Sequence, residues 1–395
     1  MTYTGPISSR AMLFRPSVID EVARLCEEHQ AIDLALGAPE LPTPDIVKEA
    51  AVAALLSGHN QYTNSWGSSL LRQAIAEKSR RYLQVEPNPE TEITVTCGST
   101  EAMMNVMMVI CDPGAEVIVF EPVFDNYIPA IEVNQGALRY VRMQPPDWRF
   151  DAQELESAFN SRTRAIIVNT PNNPTGKVFT RDELEHIAEL CRRWNVLCVT
   201  DEVYEHIVFD GLQHCSMLQI DGMAERTIVI SGVSKTFNVT GWRIGYIIAP
   251  AEITTAIRNV HAFTTYCAPA PFQAAAVAAL GLTDDYYQGL SREIQERRDL
   301  LMSALERCGF VCYRPGGAFY LLADIGNFGF RDEMSFVQFL IKDIGVAAVP
   351  GGSFYSQPVD GKTIIRFCFG KAHATLAAAV GRLNKLVDCH ASTSR

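Results

Sequence analysis

The stretch Ile228–Tyr246 reads IVISGVSKTFNVTGWRIGY, and the rest of the chain can be interpreted outward from it. An apolar run that predicts a strand, Ile228–Ile230, is followed by a turn of small residues, Ser231–Ser234, and then by Lys235. A second apolar run, Ile244–Ala249, lies beyond. A lysine whose stem enters a packed interior loses hydration, which favours the neutral amine, a nucleophile able to form a Schiff base with an aldehyde. The alternative is a solvated surface lysine.

The composition is that of an ordinary globular protein with an acidic balance. The chain has 395 residues, too many for one small core, so we expect two domains, or one large domain and one that is split. Apolar residues make up 48% and charged residues 20%. The formal net charge of −11 argues against nucleic acid as a partner, because phosphate contacts need clustered Lys and Arg.

Eleven cysteines are scattered along the chain, and no Cys-x-x-Cys pair occurs. We therefore expect neither a metal site nor a redox motif. Many of the cysteines lie within apolar runs, as buried thiols do, which suggests a reducing, cytoplasmic compartment. The chain shows no signal peptide and no run of about eighteen apolar residues, so we expect no membrane partner.

Apolar runs alternate with helical periodicity through the middle of the chain. Seven runs predict strands: 93–97, 116–120, 137–143, 165–169, 196–200, 227–230 and 245–249. Helices are predicted between them, at about 123–133, 180–194 and 251–264. Unbroken apolar strands are typical of strands buried on both faces. The predicted fold class is α/β, with a mostly parallel seven-stranded sheet and helices on both of its faces.

The regular alternation of predicted strands and helices ends after about Tyr286. The predicted elements of this part are a long helix at 287–308, strands at 310–313, 318–323, 346–349 and 363–369, and helices at about 333–343 and 371–388. They predict a smaller α+β domain that the N-terminal segment joins. We therefore expect a large domain at 45–286 and a small domain made of 1–44 and 287–395, with a frayed tail at about Cys389–Arg395.

Polar residues at the strand ends are the site candidates, because ligands of open α/β sheets bind beyond the carboxyl ends of the strands. Gly98, Ser99 and Thr100 follow one strand and open a helix, whose bare N–H groups favour a phosphate. An ordinary Ser/Thr cap explains them as well. The turn Thr170–Lys177 is not a phosphate loop, since Pro171 stands where the first glycine should be. It can direct an Asn amide inward, or be a plain surface turn.

Two charged residues stand in apolar surroundings. Asp201 ends a buried strand and needs a cationic partner, either a protonated pyridine nitrogen or a side chain of the fold. Arg366 lies inside the apolar run Ile364–Phe367, where its guanidinium could hold a carboxylate by two hydrogen bonds or pair with an internal Asp or Glu. A pyridoxal phosphate site is indicated by six features taken together: the helix start that favours a phosphate, Asp201, Tyr204 three residues later, the turn asparagine, Lys235 and an Arg eight residues beyond it.

The chain resembles the class I aminotransferases, which are fold type I pyridoxal-phosphate enzymes, over nearly its whole length. The motifs that carry the resemblance are LGAPELPTPD (36–45), QYT (61–63), NNPTGK (172–177), DEVY (201–204), SKTFNVTGWR (234–243) and RFCFGK (366–371). The nearest branch is the one that holds the kynurenine, glutamine and methionine aminotransferases. The block around the lysine and the arginine is the most specific of these motifs.

The resemblance implies pyridoxal 5'-phosphate as the cofactor. Lys235 would hold it as an internal aldimine and then move a proton between the substrate Cα and the cofactor. Asp201 would keep the pyridine nitrogen protonated, so that the ring can accept the Cα electron pair. Tyr204 and Asn173 would hydrogen-bond the phenolic oxygen of the ring, and Phe124 would stack on the ring.

The resemblance also implies the phosphate contacts. The residues that would make them are Arg243, Ser231 or Ser234, and the backbone of Ser99 and Thr100. Many members of the family carry a hydroxyl three residues before the lysine, where this chain has Gly232, so the choice between the two serines stays open. Tyr62 would reach the phosphate of the neighbouring subunit, which implies a homodimer with shared sites. Arg366 would bind the substrate α-carboxylate, helped by Asn173 and the backbone near Gly37.

Three functions are compatible with these residues. The first is an aminotransferase that moves an amino group between an α-amino acid and a 2-oxo acid. The second is an enzyme of the same fold that catalyses β- or γ-elimination, replacement, cyclisation or an oxidase-type reaction, because pocket residues outside the motifs decide the outcome. The third is a non-catalytic pyridoxal-phosphate sensor, which the lack of a basic DNA-binding module disfavours.

The sequence does not identify the substrate. No motif places a second arginine for a side-chain carboxylate, so dicarboxylate specificity is not indicated. Phe14, Trp66, Tyr127 and Tyr266 could line an aromatic pocket, but core packing explains them equally well.

Overall fold

A large sheet occupies the middle of the chain in the computed structural model, which describes residues 7–14 and 16–387. Its strands are, in spatial order, Ile93–Thr96, Gly245–Ile248, Thr227–Gly232, Leu197–Asp201, Thr163–Asn169, Glu116–Glu121, Ala137–Gln144 and Arg149–Phe150. Gly245–Ile248 and Arg149–Phe150 run antiparallel to their neighbours, and the remaining strands share one direction. The predicted α/β fold, with its mostly parallel sheet, is confirmed.

Arg149–Phe150 extends the seven predicted strands to eight. It is two residues long and pairs with Met143 and Gln144 at the edge of the sheet. So short a run has no measurable alternation of apolar and polar residues, which is why the sequence did not predict it.

Both faces of the sheet are buried. Along the strand Glu116–Glu121, Val117 and Val119 pack into one cluster with the helix Gly98–Ile110. Ile118 and Phe120 point the other way, into a cluster with the helix Arg181–Trp194. Successive side chains of a strand alternate between its faces, so burial of both faces explains the unbroken apolar runs in the sequence.

Twelve α-helices surround the sheets in the described part of the chain. They are Val18–Glu28, Asp45–Leu56, Ser69–Leu83, Gly98–Ile110, Tyr127–Glu132, Ala152–Ala158, Arg181–Trp194, Ala251–Thr264, Ala270–Leu280, Asp284–Arg307, Glu333–Phe339 and His373–Leu383. Among them, none has the length and apolar character needed to cross a membrane.

A smaller antiparallel sheet follows in the C-terminal part of the chain. Its strands are, in spatial order, Val311–Tyr313, Tyr320–Asp324, Ile364–Cys368 and Val349–Pro350. The predicted strand 346–349 is interrupted at Ala348. Val346–Ala347 pairs with Ile32–Asp33, whereas Val349–Pro350 pairs with the strand that carries Arg366.

The N-terminal segment packs against this smaller sheet. Val22 and Cys26, from the helix Val18–Glu28, share one buried cluster with Phe319 and Phe367. The division at 44/45 and 286/287 stays a prediction, and the helix Asp284–Arg307 continues unbroken through the second boundary. The predicted tail, Cys389–Arg395, lies outside the described residues.

Candidate active site

A cavity of about 390 Å³ opens at the carboxyl ends of the parallel strands. The predicted site residues that line it are Gly37, Ser99, Thr100, Phe124, Asn173, Asp201, Tyr204, Ser234, Lys235, Arg243 and Arg366. The parallel strands place their ends at one edge of the large sheet, and Arg366 comes from the smaller sheet. Residues far apart in the sequence thus meet in one cavity, as predicted.

Lys235 is sheltered at the base of this cavity. Its ammonium Nζ donates a hydrogen bond of 2.8 Å to the carbonyl of Gly37 and lies 5.6 Å from the centroid of the Phe319 ring. Burial lowers the pKa of Lys235 to about 8, and the positive charges of Arg366 and Arg243 act in the same direction. A substantial fraction of the amine is therefore neutral near neutral pH, as a nucleophile requires.

Asp201 ends the strand Leu197–Asp201 inside the protein. The hydroxyl of Tyr127 donates a 2.6 Å hydrogen bond to its Oδ2. Burial raises the pKa of Asp201 to about 6, although the bond from Tyr127 opposes this rise. A buried carboxylate of this kind is best stabilised by a cationic ring nitrogen in the cavity.

Tyr127 supports Asp201 and does not line an aromatic pocket. Its hydroxyl holds the strand-end carboxylate, and its ring meets the edge of Phe124 at a centroid distance of 5.5 Å. None of Phe14, Trp66, Tyr127 and Tyr266 lines the cavity in the described part of the chain. The sequence contains no local pattern that joins residues 127 and 201.

Arg366 is buried, and its hydrogen bonds are to uncharged acceptors. Its Nη1 donates to Asn173 Oδ1 at 2.9 Å, and its Nη2 donates to the carbonyl of Ala35 at 3.0 Å. Within the described residues its Nε has no hydrogen-bond partner. These bonds use two of the five N–H groups of the guanidinium, which leaves others for a carboxylate that enters the cavity.

Asn173 and Tyr204 are held by residues that the sequence did not single out. The backbone N–H of Asn173 donates to Asn169 Oδ1 at 2.7 Å, and Asn169 lines the same cavity. The hydroxyl of Tyr204 lies 3.0 Å from that of Tyr320, another lining residue. The first contact depends on the folded turn and the second on the smaller sheet, so no sequence motif indicates either of them.

Gly98 opens a compact anion cradle at the start of the helix Gly98–Ile110. Its φ of +83° is accessible to glycine, and a Cβ at this position would collide with the guanidinium of Arg243. The guanidinium of Arg243 therefore lies next to the helix start, and Arg243, Ser99 and Thr100 line the same cavity. This donor set fits a phosphate.

Ser231 does not line the cavity, in contrast to Ser234. Its hydroxyl donates a 2.9 Å hydrogen bond to the buried carboxylate of Glu205. Ser231 belongs to the strand Thr227–Gly232 and points into the interior, whereas Ser234 follows the strand and faces the cavity. Of the two serines, the geometry therefore favours Ser234 as the phosphate contact, and the contact itself stays a prediction.

Tyr62 lies outside the cavity of its own chain. Its side chain is 80% exposed, and its ring meets the edge of Tyr266 at a centroid distance of 4.9 Å. The predicted contact of Tyr62 is with a neighbouring subunit, so this contact stays a prediction.

The family model for aminotransferases of class I and II matches residues 29–383. The chain belongs to this family. Lys235, Asp201 and Arg366, which belong to motifs of the resemblance, line one cavity.

Full-length relatives agree with this assignment. A probable N-succinyldiaminopimelate aminotransferase DapC of Mycobacterium tuberculosis is 38% identical, with 96% of this chain and 98% of the relative covered. The methionine aminotransferase of Escherichia coli is 35% identical, with 94% and 96% covered. The solved structure of the M. tuberculosis N-succinyldiaminopimelate aminotransferase is 38% identical, has a TM-score of 0.94 and covers 96% of this chain and 100% of that one.

The family and its named members establish the reaction class. This aminotransferase moves an amino group between an α-amino acid and a 2-oxo acid, with pyridoxal phosphate as its cofactor. The predicted branch is confirmed, since the human kynurenine–oxoglutarate transaminase 1 is also 35% identical, with 92% of this chain and 94% of the relative covered.

Proposed function

We propose that Lys235 anchors the cofactor of this aminotransferase and moves the proton during transamination. The observation that carries the proposal is the sheltered Lys235 amine in one cavity with the buried Asp201 and with an anion cradle. When bound, pyridoxal phosphate supplies the electron sink for the pair left at the substrate Cα. Asp201 keeps the proton on the pyridine nitrogen, and Lys235 transfers a proton at the substrate Cα.

The remaining lining residues position the two reactants. Arg243, Ser234 and the N–H groups at the helix start hold the phosphate. Tyr204 and Asn173 hydrogen-bond the phenolic oxygen of the ring, and Phe124 packs on the ring. Arg366 binds the substrate α-carboxylate with N–H groups that its bonds to Asn173 and Ala35 leave unused. These contacts support a site in which the reacting Cα–H is presented to Lys235.

We propose that the preferred amino donors carry uncharged side chains. Within the described residues, the charged side chains that line the cavity are Asp201, Lys235, Arg243 and Arg366. Each of them has a role toward the cofactor or the α-carboxylate, so none of the charges that this chain contributes to its own cavity remains for a charged substrate side chain. Ile19, Leu36 and Ala38 supply an apolar rim. The name of the methionine aminotransferase among the relatives agrees with such a donor.

A single-turnover experiment tests the proposed function. The loaded enzyme is mixed with one amino acid at a time, and no 2-oxo acid is added. We expect stoichiometric conversion of the bound cofactor to pyridoxamine phosphate with one equivalent of 2-oxo acid, fastest for donors with uncharged side chains. Ammonia release or repeated turnover without an acceptor would contradict the proposal.

The uptake of pyridoxal phosphate by the cofactor-free protein should depend on pH through Lys235. The neutral amine is the reactive form, and the lowered pKa of about 8 sets its amount. We expect the uptake rate to rise by about tenfold per pH unit below this value and to level off above it. Stopped-flow absorbance measures the rate. A rise that continues toward pH 10 would mean that Lys235 titrates as an ordinary exposed lysine.

Ser234 and Ser231 offer a matched pair for the phosphate contact. We expect Ser234→Ala to weaken pyridoxal phosphate binding by about tenfold, through loss of one hydrogen bond to a charged group. Ser231→Ala should leave this affinity unchanged but lower the free energy of unfolding by about 1–2 kcal/mol, because buried Glu205 loses a donor. Equilibrium dialysis and urea unfolding separate the two effects, and the reverse pattern would restore Ser231 as the contact.

We propose that the enzyme is a homodimer with shared sites. Large apolar side chains are exposed on one chain, with Phe263 93%, Leu56 84% and Leu70 68% accessible. Tyr62 and Leu70 line the same surface depression, where a second copy would cover them. We expect sedimentation equilibrium to give twice the chain mass, and Tyr62→Phe to weaken cofactor binding while Tyr266→Phe does not. A monomer that binds the cofactor fully would contradict this.

We place the enzyme in the cytoplasm. Every cysteine of the described residues is unpaired, which suits a reducing compartment. Fractionation of cells that express the tagged protein would test this placement, and recovery from an oxidising compartment would overturn it.

A further inference from the structure

Tyr320 lies beside Arg366 because of the register of the smaller sheet. Tyr320 is paired with Cys368, and Leu322 is paired with Arg366, on antiparallel neighbouring strands. Residues two positions apart on a strand face the same side, so the side chains of Tyr320 and Arg366 share one face. The guanidinium carbon of Arg366 lies 4.3 Å from the centroid of the Tyr320 ring. The ring therefore forms one wall of the cavity under the arginine.

The hydroxyl of Tyr320 meets that of Tyr204 in a buried contact. The two oxygens lie 3.0 Å apart, and within the described residues neither has another hydrogen-bond partner. Each hydroxyl carries one proton, so only one of them donates across this contact. The proton of the accepting hydroxyl then remains available for another acceptor in the cavity.

Burial raises the pKa of both hydroxyls. Burial raises the pKa of Tyr320 to about 12, and the positive charge of Arg366 limits this rise. Burial raises the pKa of Tyr204 well above its usual value, and the negative charge of Asp201 adds to the rise. Both phenols therefore stay protonated. In the proposed role of Tyr204 its one proton goes to the phenolic oxygen of the bound cofactor, so across this contact Tyr204 accepts and Tyr320 donates.

We propose that Tyr320 is a positioning residue whose hydroxyl donates to Tyr204 and thereby directs the proton of Tyr204 into the cavity. The inference rests on the proposed role of Tyr204, which hydrogen-bonds the phenolic oxygen of the bound cofactor. A hydroxyl that accepts a hydrogen bond becomes a stronger donor itself. Tyr320 thus strengthens a contact to the cofactor without touching the reacting atoms.

Gly37 fixes the Tyr320 hydroxyl from the opposite side. A Cβ at position 37 would overlap this hydroxyl, so the oxygen packs directly against the glycine backbone. The carbonyl of the same glycine accepts the hydrogen bond from Lys235. The hydroxyl is therefore confined between Gly37 and Tyr204, which leaves it little freedom to turn away.

The test uses Tyr320→Phe in the loaded enzyme without substrate. This variant keeps the ring under Arg366 and removes only the hydroxyl. The measurement is the pH midpoint of the change in absorbance of the bound pyridoxal phosphate. A hydrogen bond from Tyr204 stabilises the anionic phenolic oxygen and lowers this midpoint. We expect Tyr320→Phe to raise it by roughly a few tenths of a pH unit, as the hydrogen-bond chain shortens. An unchanged or lower midpoint would overturn the proposal.

A double-variant comparison tests whether the effect passes through Tyr204. The double variant Tyr204→Phe/Tyr320→Phe should have the same pH midpoint as Tyr204→Phe alone. A further rise as large as the one that Tyr320→Phe causes in the wild-type protein would show that Tyr320 does not act through Tyr204. Tyr287→Phe is the matched control, since its buried hydroxyl has no partner in the described chain and lies outside the cavity. The other titratable groups near Tyr320, Asp125 and Cys368, are the same in every variant.

A second variant reaches the same hydroxyl without changing Tyr320. Gly37→Ala should displace the hydroxyl and raise the midpoint in the same direction, and no rise in a folded variant would contradict the proposal. The proposed function fails separately, because a wild-type protein whose cofactor borohydride does not fix to Lys235 would refute the anchor itself.

Discussion

Replacing Lys235 with alanine is expected to lower the rate of the amino-transfer half-reaction by at least about 10⁴-fold. The variant loses the group that moves the proton, which alone contributes about 10²–10⁴ in rate, and it loses the covalent anchor as well. Its hydrogen bond to the Gly37 carbonyl disappears too. Single-turnover absorbance measures the rate.

Lys362→Ala is the matched control, since Lys362 is exposed on the surface and lies outside the cavity. We expect it to retain the wild-type rate and spectrum. A Lys235→Ala protein that kept both its half-reaction and its borohydride-reducible cofactor would show that another lysine holds the cofactor.

Replacing Arg366 with glutamine should raise KM for the amino donor by roughly 10²–10³-fold, because a buried charge-assisted contact is worth about 2–5 kcal/mol when one partner is removed. The change also removes the two N–H groups that donate hydrogen bonds to Asn173 Oδ1 and to the carbonyl of Ala35. We expect kcat to fall less than kcat/KM, since binding of the α-carboxylate precedes the proton transfer. Steady-state kinetics with varied donor concentration measures both.

Two further variants test whether the rise in KM depends on the guanidinium of Arg366. Arg366→Lys should recover only part of the affinity, because an ammonium cannot make two parallel hydrogen bonds to a carboxylate. Arg331→Gln, at a side chain that is 88% exposed, should leave KM unchanged. If Arg366→Gln kept the wild-type KM, another group would have to bind the α-carboxylate.

Much of the fold could be predicted because burial of both sheet faces leaves unbroken apolar runs. Ile228–Ile230 and Val117–Phe120 are visible in the sequence for this reason. Site residues could also be predicted where a charged side chain stands in apolar surroundings. A lysine between apolar runs, an aspartate at a strand end and an arginine inside a strand all require a partner, and the structure places Lys235, Asp201 and Arg366 in one cavity.

What could not be predicted depends on contacts between distant segments. Tyr127 reaches Asp201 across 74 residues, and Tyr320 reaches Tyr204 across 116. Neither spacing has a local pattern. Ser231 and Ser234 differ only in which side of the strand end each one faces, and this depends on where the strand stops.

The most direct test of the central claim is to reduce the loaded enzyme with borohydride, digest it and locate the modified lysine by mass spectrometry. Reduction fixes the cofactor on whichever amine holds it. The account predicts one modified peptide, with the added mass on Lys235. Modification of a different lysine, or no modification of a protein that transfers amino groups, would contradict it.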